Sequence, residues 1–213
     1  SFPTRRSSDL IGDFALRQAA HDSRAWNHIK VAVNVSATQL QEETFADHAK
    51  AIIAAAGADL HDIEIELTEG VLLSDNAHTR GTLLALREAG FSIALDDFGT
   101  GYSSLSYLQQ FPIDKLKIDR AFVQNLGLDP KADALFTAIV RLAQSLDMRV
   151  IAEGVETEEQ WLRLTRAGCP KIQGYIASKP LRAEDVQGFI DNWMNDQAAR
   201  SGMMTESDGA QAA

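Results

Sequence analysis

The chain has 213 residues, 45% hydrophobic and 23% charged, which is ordinary globular usage and excludes wholesale disorder. Thirty acidic residues against twenty basic ones give a formal charge of −10, the wrong sign for coating a nucleic-acid polymer. A single cysteine, Cys169, excludes a disulfide framework and a Cys-rich zinc site, and no apolar run approaches the roughly 18–20 residues of a membrane span.

A small phosphate-bearing substrate remains compatible with the acidic balance, because a bound cation inverts the local sign. Ser1–Leu10 lacks the apolar centre of a signal peptide, so the expected location is the cytoplasm, or the cytoplasmic face of a membrane-anchored parent. Short β-rich runs then recur at Val31–Ser36, Ile63–Thr68, Phe91–Asp96, Lys115–Asp119, Arg149–Glu153 and Lys171–Tyr175. Several are almost continuously apolar, as strands covered on both faces are.

Helical patterns separate the runs. Ser74 caps a helix whose Leu83, Leu84 and Leu86 face inward, and Gly90 ends it. Asp129-Pro130 is an N-cap followed by proline at the first helical position, and Leu135, Ile139, Leu142 and Leu146 keep helical spacing after it. Thr157 with Gln160 forms a capping box, and Gly168 closes that helix. A final amphipathic helix uses Val186, Phe189, Ile190 and Trp193, and residues 197–213 read as a disordered tail.

Uninterrupted strand–helix alternation means a parallel sheet, either doubly wound or closed into a barrel. No Gly-rich phosphate loop follows the first strand, as a nucleotide-binding doubly wound fold would show. A polar residue stands at the carboxyl end of every run: Asn34, Glu66, Asp96, Lys117, Glu153 and Gln173. Such a ring is the active face of a (β/α)8 barrel. A complete barrel takes about 250 residues, and six eighths of that is roughly 190. Ile11–Asp196 is of that size, so the expected fold is an α/β, TIM-like (β/α)8 barrel lacking its first strands.

Asn34, Glu66, Asp96 and Asp97 offer oxygen ligands only, which suits Mg²⁺ or Mn²⁺ better than zinc. Adjacent aspartates on a strand point to opposite faces, but at a strand end the backbone can turn both toward the mouth. One then bridges two metals about 3.5–4 Å apart while its neighbour binds the second, as two-metal phosphodiester hydrolysis requires. Lys117 supplies a cation for a scissile phosphate, Glu153 and Glu156 a base and its support, and Gln173 a donor and acceptor.

Taken singly, each has a plainer reading. A strand-end Asn or Gln usually caps a turn, a Lys within KLKID is usually a solvated edge, and Glu64 and Glu66 between isoleucines look half-exposed. Asp97-Phe98-Gly99 matches a kinase tripeptide by chance, since no other kinase motif accompanies it. The five histidines show no ligand spacing and read as surface residues, and Cys169 as a packed thiol. The coincidence of six polar strand ends outweighs the plain readings.

Asn34–Leu40 (NVSATQL), Glu64–Glu69 (EIELTE), Leu95–Leu108 (LDDFGTGYSSLSYL), Phe111–Val123 (FPIDKLKIDRAFV), Ile151–Gln160 (IAEGVETEEQ) and Gly168–Leu181 (GCPKIQGYIASKPL) together resemble the bacterial EAL domain. Members of that family are cyclic-di-GMP phosphodiesterases or their catalytically degenerate relatives. The resemblance implies metal ligation by Asn34, Glu66 and Asp96, with Asp97 completing a second metal, here Mg²⁺ or Mn²⁺. It implies catalytic roles for Lys117, Asp97 and Glu153, with Glu153 as general base. Glu156, Gln173 and Asp119 would support the site, and Glu69 would anchor the mobile loop Asp97–Ser104, which Gly99 and Gly101 allow to bend. The implied reaction opens one phosphodiester of cyclic-di-GMP to give linear pGpG. Implied partners are cyclic-di-GMP, fused sensory or GGDEF-type domains and a second copy of the chain, with no nucleic-acid polymer.

The chain departs from the family at its start. It contains no Glu-Ala-Leu tripeptide, whose glutamate the family uses as a metal ligand, and the match begins near Leu10–Ala20. The expected organisation is an unmatched segment 1–9, an EAL domain 10–196 incomplete at its start, and the tail 197–213. This form is expected to be inactive alone. The alternative is a non-catalytic cyclic-di-GMP receptor or protein-interaction module. An unrelated metal-dependent barrel lyase is excluded by the specificity of the motifs.

Overall fold

Five short segments with β-branched and aliphatic runs pair into one parallel sheet: β1 (Val31–Asn34), β2 (Ile63–Thr68), β3 (Ser92–Phe98), β4 (Lys115–Ile118) and β5 (Arg149–Ala152). The computed structural model describes residues 7–73, 77–99 and 108–195. Spatial order equals chain order, β1-β2-β3-β4-β5. A doubly wound sheet reverses its order at a switch point; this one never does, which is the progression of a TIM-like barrel wall. The sixth expected run, Lys171–Tyr175, contributes only an isolated bridge between Ile172 and Ala152. Gln173 donates its N–H to Ala152 and accepts from Val155, after which turns at Gly174 end the pairing.

Parallel register places alternate residues on one face across the sheet. Val31, Ile63 and Val33, Ile65 align on one side, while Ala32, Glu64 and Asn34, Glu66 align on the other. The aliphatic side is the core: Ile63, Ile65, Leu67, Ile93, Leu95, Leu116 and Ile118 are fully buried. Each such side chain contributes about 1.5–3 kcal/mol relative to exposure. The polar side carries the chemistry.

Helices cover the aliphatic face. Ser7–Ala25 packs on β1 and on the helix Phe45–Ala55, which in turn meets Ala77–Ala89. Helix Ser7–Ala25 begins inside the segment left unmatched by the sequence motifs. Asp129 caps Pro130–Ser145 through Lys131 N–H, and the Thr157–Gln160 capping box opens Glu158–Arg166. Ser74, the expected cap before Ala77–Ala89, lies outside the described residues, as does the expected tail.

Two helical faces differ from expectation. Leu84 is 38% exposed, because Thr79, Thr82, Leu83 and Leu86 form the inward stripe. Leu135 is also exposed, and Phe136, Ile139, Val140 and Ala143 form the buried stripe of its helix. His48 is half-buried and bonds Asp13 at 2.7 Å, unlike the other four histidines, which are exposed. Residues 180–195 belong to a separate unit in which residues 183–195 form a helix, with the Phe189 and Trp193 rings 6.0 Å apart. No helix among the described residues is long and apolar enough to cross a membrane.

Candidate metal centre

The polar face converges at the carboxyl ends of β2 to β5. Lys117, from β4, is 4% exposed and lies at its centre. Its Nζ sits 2.8 Å from Glu66 Oε1, 2.9 Å from Asp96 Oδ1 and 2.8 Å from Glu153 Oε1. Glu66 belongs to β2, two strands away, so the contact crosses β3 above Ala94, the Cα partner of Glu66. Only a small side chain on β3 leaves room for that crossing. The solvated-edge reading of Lys117 and the half-exposed reading of Glu64 and Glu66 are both corrected: all three are buried.

The adjacent aspartates reach one mouth by a break in the strand. Register slips between Leu95 and Phe98, and Asp97 takes φ = +54°, a left-handed conformation that Asp tolerates better than most residues. Its N–H donates to Asp96 Oδ1 at 3.0 Å. Asp97 is thereby exposed at the strand end instead of being buried on the opposite face. Carboxylate oxygens of Asp96, Asp97 and Glu153 lie within 4.8 Å of one another.

Crowding marks the electrostatics. Burial pushes Glu66 and Glu153 above the usual carboxylate range; Lys117 counters it, while Asp96 adds to it in both. Asp97 is raised by desolvation and by the charges of Asp96 and Asp119. Burial opposes the Lys117 ammonium, but the hydrogen bonds it donates to Glu153, Glu66 and Asp96 outweigh it and hold the pKa above its ordinary value. The ammonium therefore stays charged and the acidic groups remain in excess around it. All-oxygen donors in excess of one buried cation suit a hard divalent ion such as Mg²⁺ or Mn²⁺.

The other expected residues stand at or just past the carboxyl ends of the strands and the Ile172 bridge. Glu69, 4% exposed, accepts the Gly99 N–H at 3.1 Å, and Gly99 has φ = +97° with the Phe122 ring where a Cβ would stand. Asn34 aligns with Glu66 in register and is exposed. Asp119 caps the short helix Arg120–Gln124 by accepting Ala121 N–H at 2.9 Å. Glu156 and Gln173 are exposed; the Glu156 N–H bonds Gln160, and Gln173 uses its backbone against Ala152 and Val155. Gly101 and the rest of the expected loop up to Ser104 lie outside the described residues. One feature escaped the sequence reading: Lys115 Nζ binds Glu64 Oε1 at 2.6 Å one step further down the sheet. The spacing Glu64-x-Glu66 against Lys115-x-Lys117 was its signal.

Comparison with known proteins decides the relationship, for the EAL domain matches residues 4–180. The chain belongs to the EAL domain family. It is 36% identical over 195 residues to a Pseudomonas aeruginosa protein named cyclic di-GMP phosphodiesterase NbdA, covering 89% of this chain and 25% of that one. The first curated relatives are likewise much longer, the chain spanning 21% and 31% of two of them. Among solved structures, the PaMucR phosphodiesterase in complex with c-di-GMP superposes with a TM-score of 0.78 at 36% identity, covering 84% of this chain and 74% of that one. The manganese and cyclic-di-GMP complex of Klebsiella pneumoniae BlrP1 gives 0.74 at 30% identity, covering 84% and 47%.

Proposed function

We propose that this domain hydrolyses one phosphodiester of cyclic-di-GMP to linear pGpG with Mg²⁺ or Mn²⁺. The observation that carries this reading is the convergence of Asp96, Asp97 and Glu153 oxygens beside the buried Lys117 ammonium. The EAL structures solved with c-di-GMP, one of them with manganese, support it. We assign Glu66, Asp96, Asp97 and Asn34 to hold the metals. A divalent cation bound there supplies charge neutralisation at the phosphate and a more acidic water.

Glu153 has a raised carboxyl pKa and lies at the open end of the sheet, which suits a base that takes a proton from the attacking water. Lys117 holds Glu153, Asp96 and Glu66 in one constellation and places a fixed positive charge beside the phosphate. Glu69 secures the backbone at Gly99, just past the aspartates, and Asp119 stiffens the end of β4 through its cap. Glu156 and Gln173 are assigned to the rim, where they would meet the nucleotide.

The test measures pGpG release chromatographically and nucleotide binding by calorimetry, with Mg²⁺, Mn²⁺, Ca²⁺ or excess chelator. It uses this chain extended by two amino-terminal strands that include a Glu-Ala-Leu tripeptide. Turnover with Mg²⁺ and Mn²⁺, little with Ca²⁺ and none in chelator is expected, since magnesium-type sites demand stricter geometry than calcium sites. Binding without turnover would replace the enzyme with a receptor. Full activity in chelator would overturn the metal assignment.

A further inference from the structure

The two lysines of β4 and the two glutamates of β2 form two parallel, diagonal ion pairs. Lys117 reaches down to Glu66 at 2.8 Å, and Lys115 reaches down to Glu64 at 2.6 Å. Register defines the geometry. Glu66 and Lys115 both have Ala94 as their Cα partner, so they stand level, one on each side of β3. Glu64 stands one step lower, level with Ser92. Lys115 therefore starts from the height of Glu66 and bends away from it. Its side chain is 13% exposed, and that of Glu64 is 4% exposed. Glu64 Oε2 has no hydrogen-bond partner among the described residues, which leaves Lys115 as the cation bonded to this carboxylate. Lys30, nearby, bonds the Ser92 hydroxyl.

We propose that Glu64 is a positioning residue: by pairing with Lys115 one step below the mouth, it keeps Lys115 off Glu66 and leaves that carboxylate to Lys117 and the metal. The physical ground is the cost of an unpaired buried charge. Without Glu64, the Lys115 ammonium is left in a largely buried site, and the carboxylate level with it is Glu66. A second ammonium on Glu66 competes with a cation ligand. Removing both members of the lower pair leaves no stray charge, so the defect should disappear in the double variant. A residue that touches ligand directly would not be rescued that way, and one that merely adds stability would not move Lys115 onto Glu66.

This inference rests in part on the metal reading above, and the experiment separates the two. Crystal structures and Mn²⁺ titrations followed by electron paramagnetic resonance are compared for the 213-residue chain, Glu64→Leu, Glu64→Gln and Glu64→Leu/Lys115→Met. Glu64→Leu is expected to bring Lys115 Nζ within hydrogen-bond distance of Glu66 and to weaken Mn²⁺ binding about tenfold, the effect of about 1.4 kcal/mol. The double variant should return within about threefold of the parent. Glu64→Gln keeps the volume and one acceptor, carries the test if the leucine variant fails to fold, and should shift in the same direction by less. A parent that binds no Mn²⁺ would sink the metal reading, while the Lys115–Glu66 distance would still decide this one. Lys115 turned to solvent in the single variants, with Glu66 and Lys117 unmoved, would overturn the proposal. So would a double variant as weak as the single.

Discussion

Glu153 and Cys169 show how burial sets opposite fates for two ionisable side chains. Glu153 is half-buried: burial raises its carboxyl above the usual range, and the Lys117 ammonium it shares with Glu66 and Asp96 pulls the other way. Glu153→Gln, in the extended chain, should keep nucleotide binding and lose kcat by roughly 10²–10⁴-fold, the usual range for removing a general base. Comparing kcat with the calorimetric Kd checks this, and normal turnover would remove Glu153 from that role. Cys169 is fully buried, and desolvation pushes its thiol up to about 11. Alkylation by iodoacetamide near neutral pH should therefore be negligible in the folded protein and fast after denaturation. Mass spectrometry before and after adding denaturant reads both rates. Rapid labelling of the native chain would contradict the packing assigned to this thiol.

β3 is the element on which the site depends, because every cross-sheet contact of Lys117 and Lys115 to β2 passes over it. Ala94 is fully buried at the crossing. Ala94→Leu should force both lysines aside, destabilising the fold by about 1–3 kcal/mol, as overpacking does, and abolishing measurable turnover in the extended chain. Denaturant melts with a turnover assay check the pair, and wild-type kcat would show that the crossing tolerates bulk. Much of this element was legible in the residues. Adjacent Asp96 and Asp97 announced a break at the strand end, and the capping signals at Asp129 and Thr157 correspond to observed helix starts. What stayed hidden was the partner of each charge. Alternation reports that Glu64, Glu66, Lys115 and Lys117 share a period of two, yet whether that face meets water or other charges depends on strands that arrive from far along the chain. Leu84 and Leu135 misled for the same reason: helical spacing defines a stripe, and the neighbouring layer decides its centre.

Across the molecule, the charge cluster makes stability depend on pH and metal together. Glu66 and Glu153 have raised pKa values, so between the ordinary glutamate value of 4.5 and their raised values the folded chain binds more protons than the unfolded chain. Stability therefore falls as pH rises through that window, and metal-free protein should melt lower above it than at its lower end. Mn²⁺ favours the deprotonated ligands, so its stabilising effect should grow over the same range. Calorimetric scans with and without metal test this, and a metal effect independent of pH would refute it. The sheet itself sets the last expectation. Among the described residues β1 pairs with β2 alone, and Ala32 and Asn34 on its polar side are exposed. Such an edge recruits other chains or frays. An extension supplying two strands, one with a Glu-Ala-Leu tripeptide, would pair with that edge and bring one further carboxylate. Expressed side by side, the extended chain should melt at least several degrees higher, at roughly 2–4 °C per kcal/mol for a domain of this size. It should also bind Mn²⁺ more tightly and release pGpG, while the 213-residue chain turns over negligibly. Near-equal turnover from the two would mean that the open edge is tolerated and that Asn34, Glu66, Asp96 and Asp97 suffice to hold the metals.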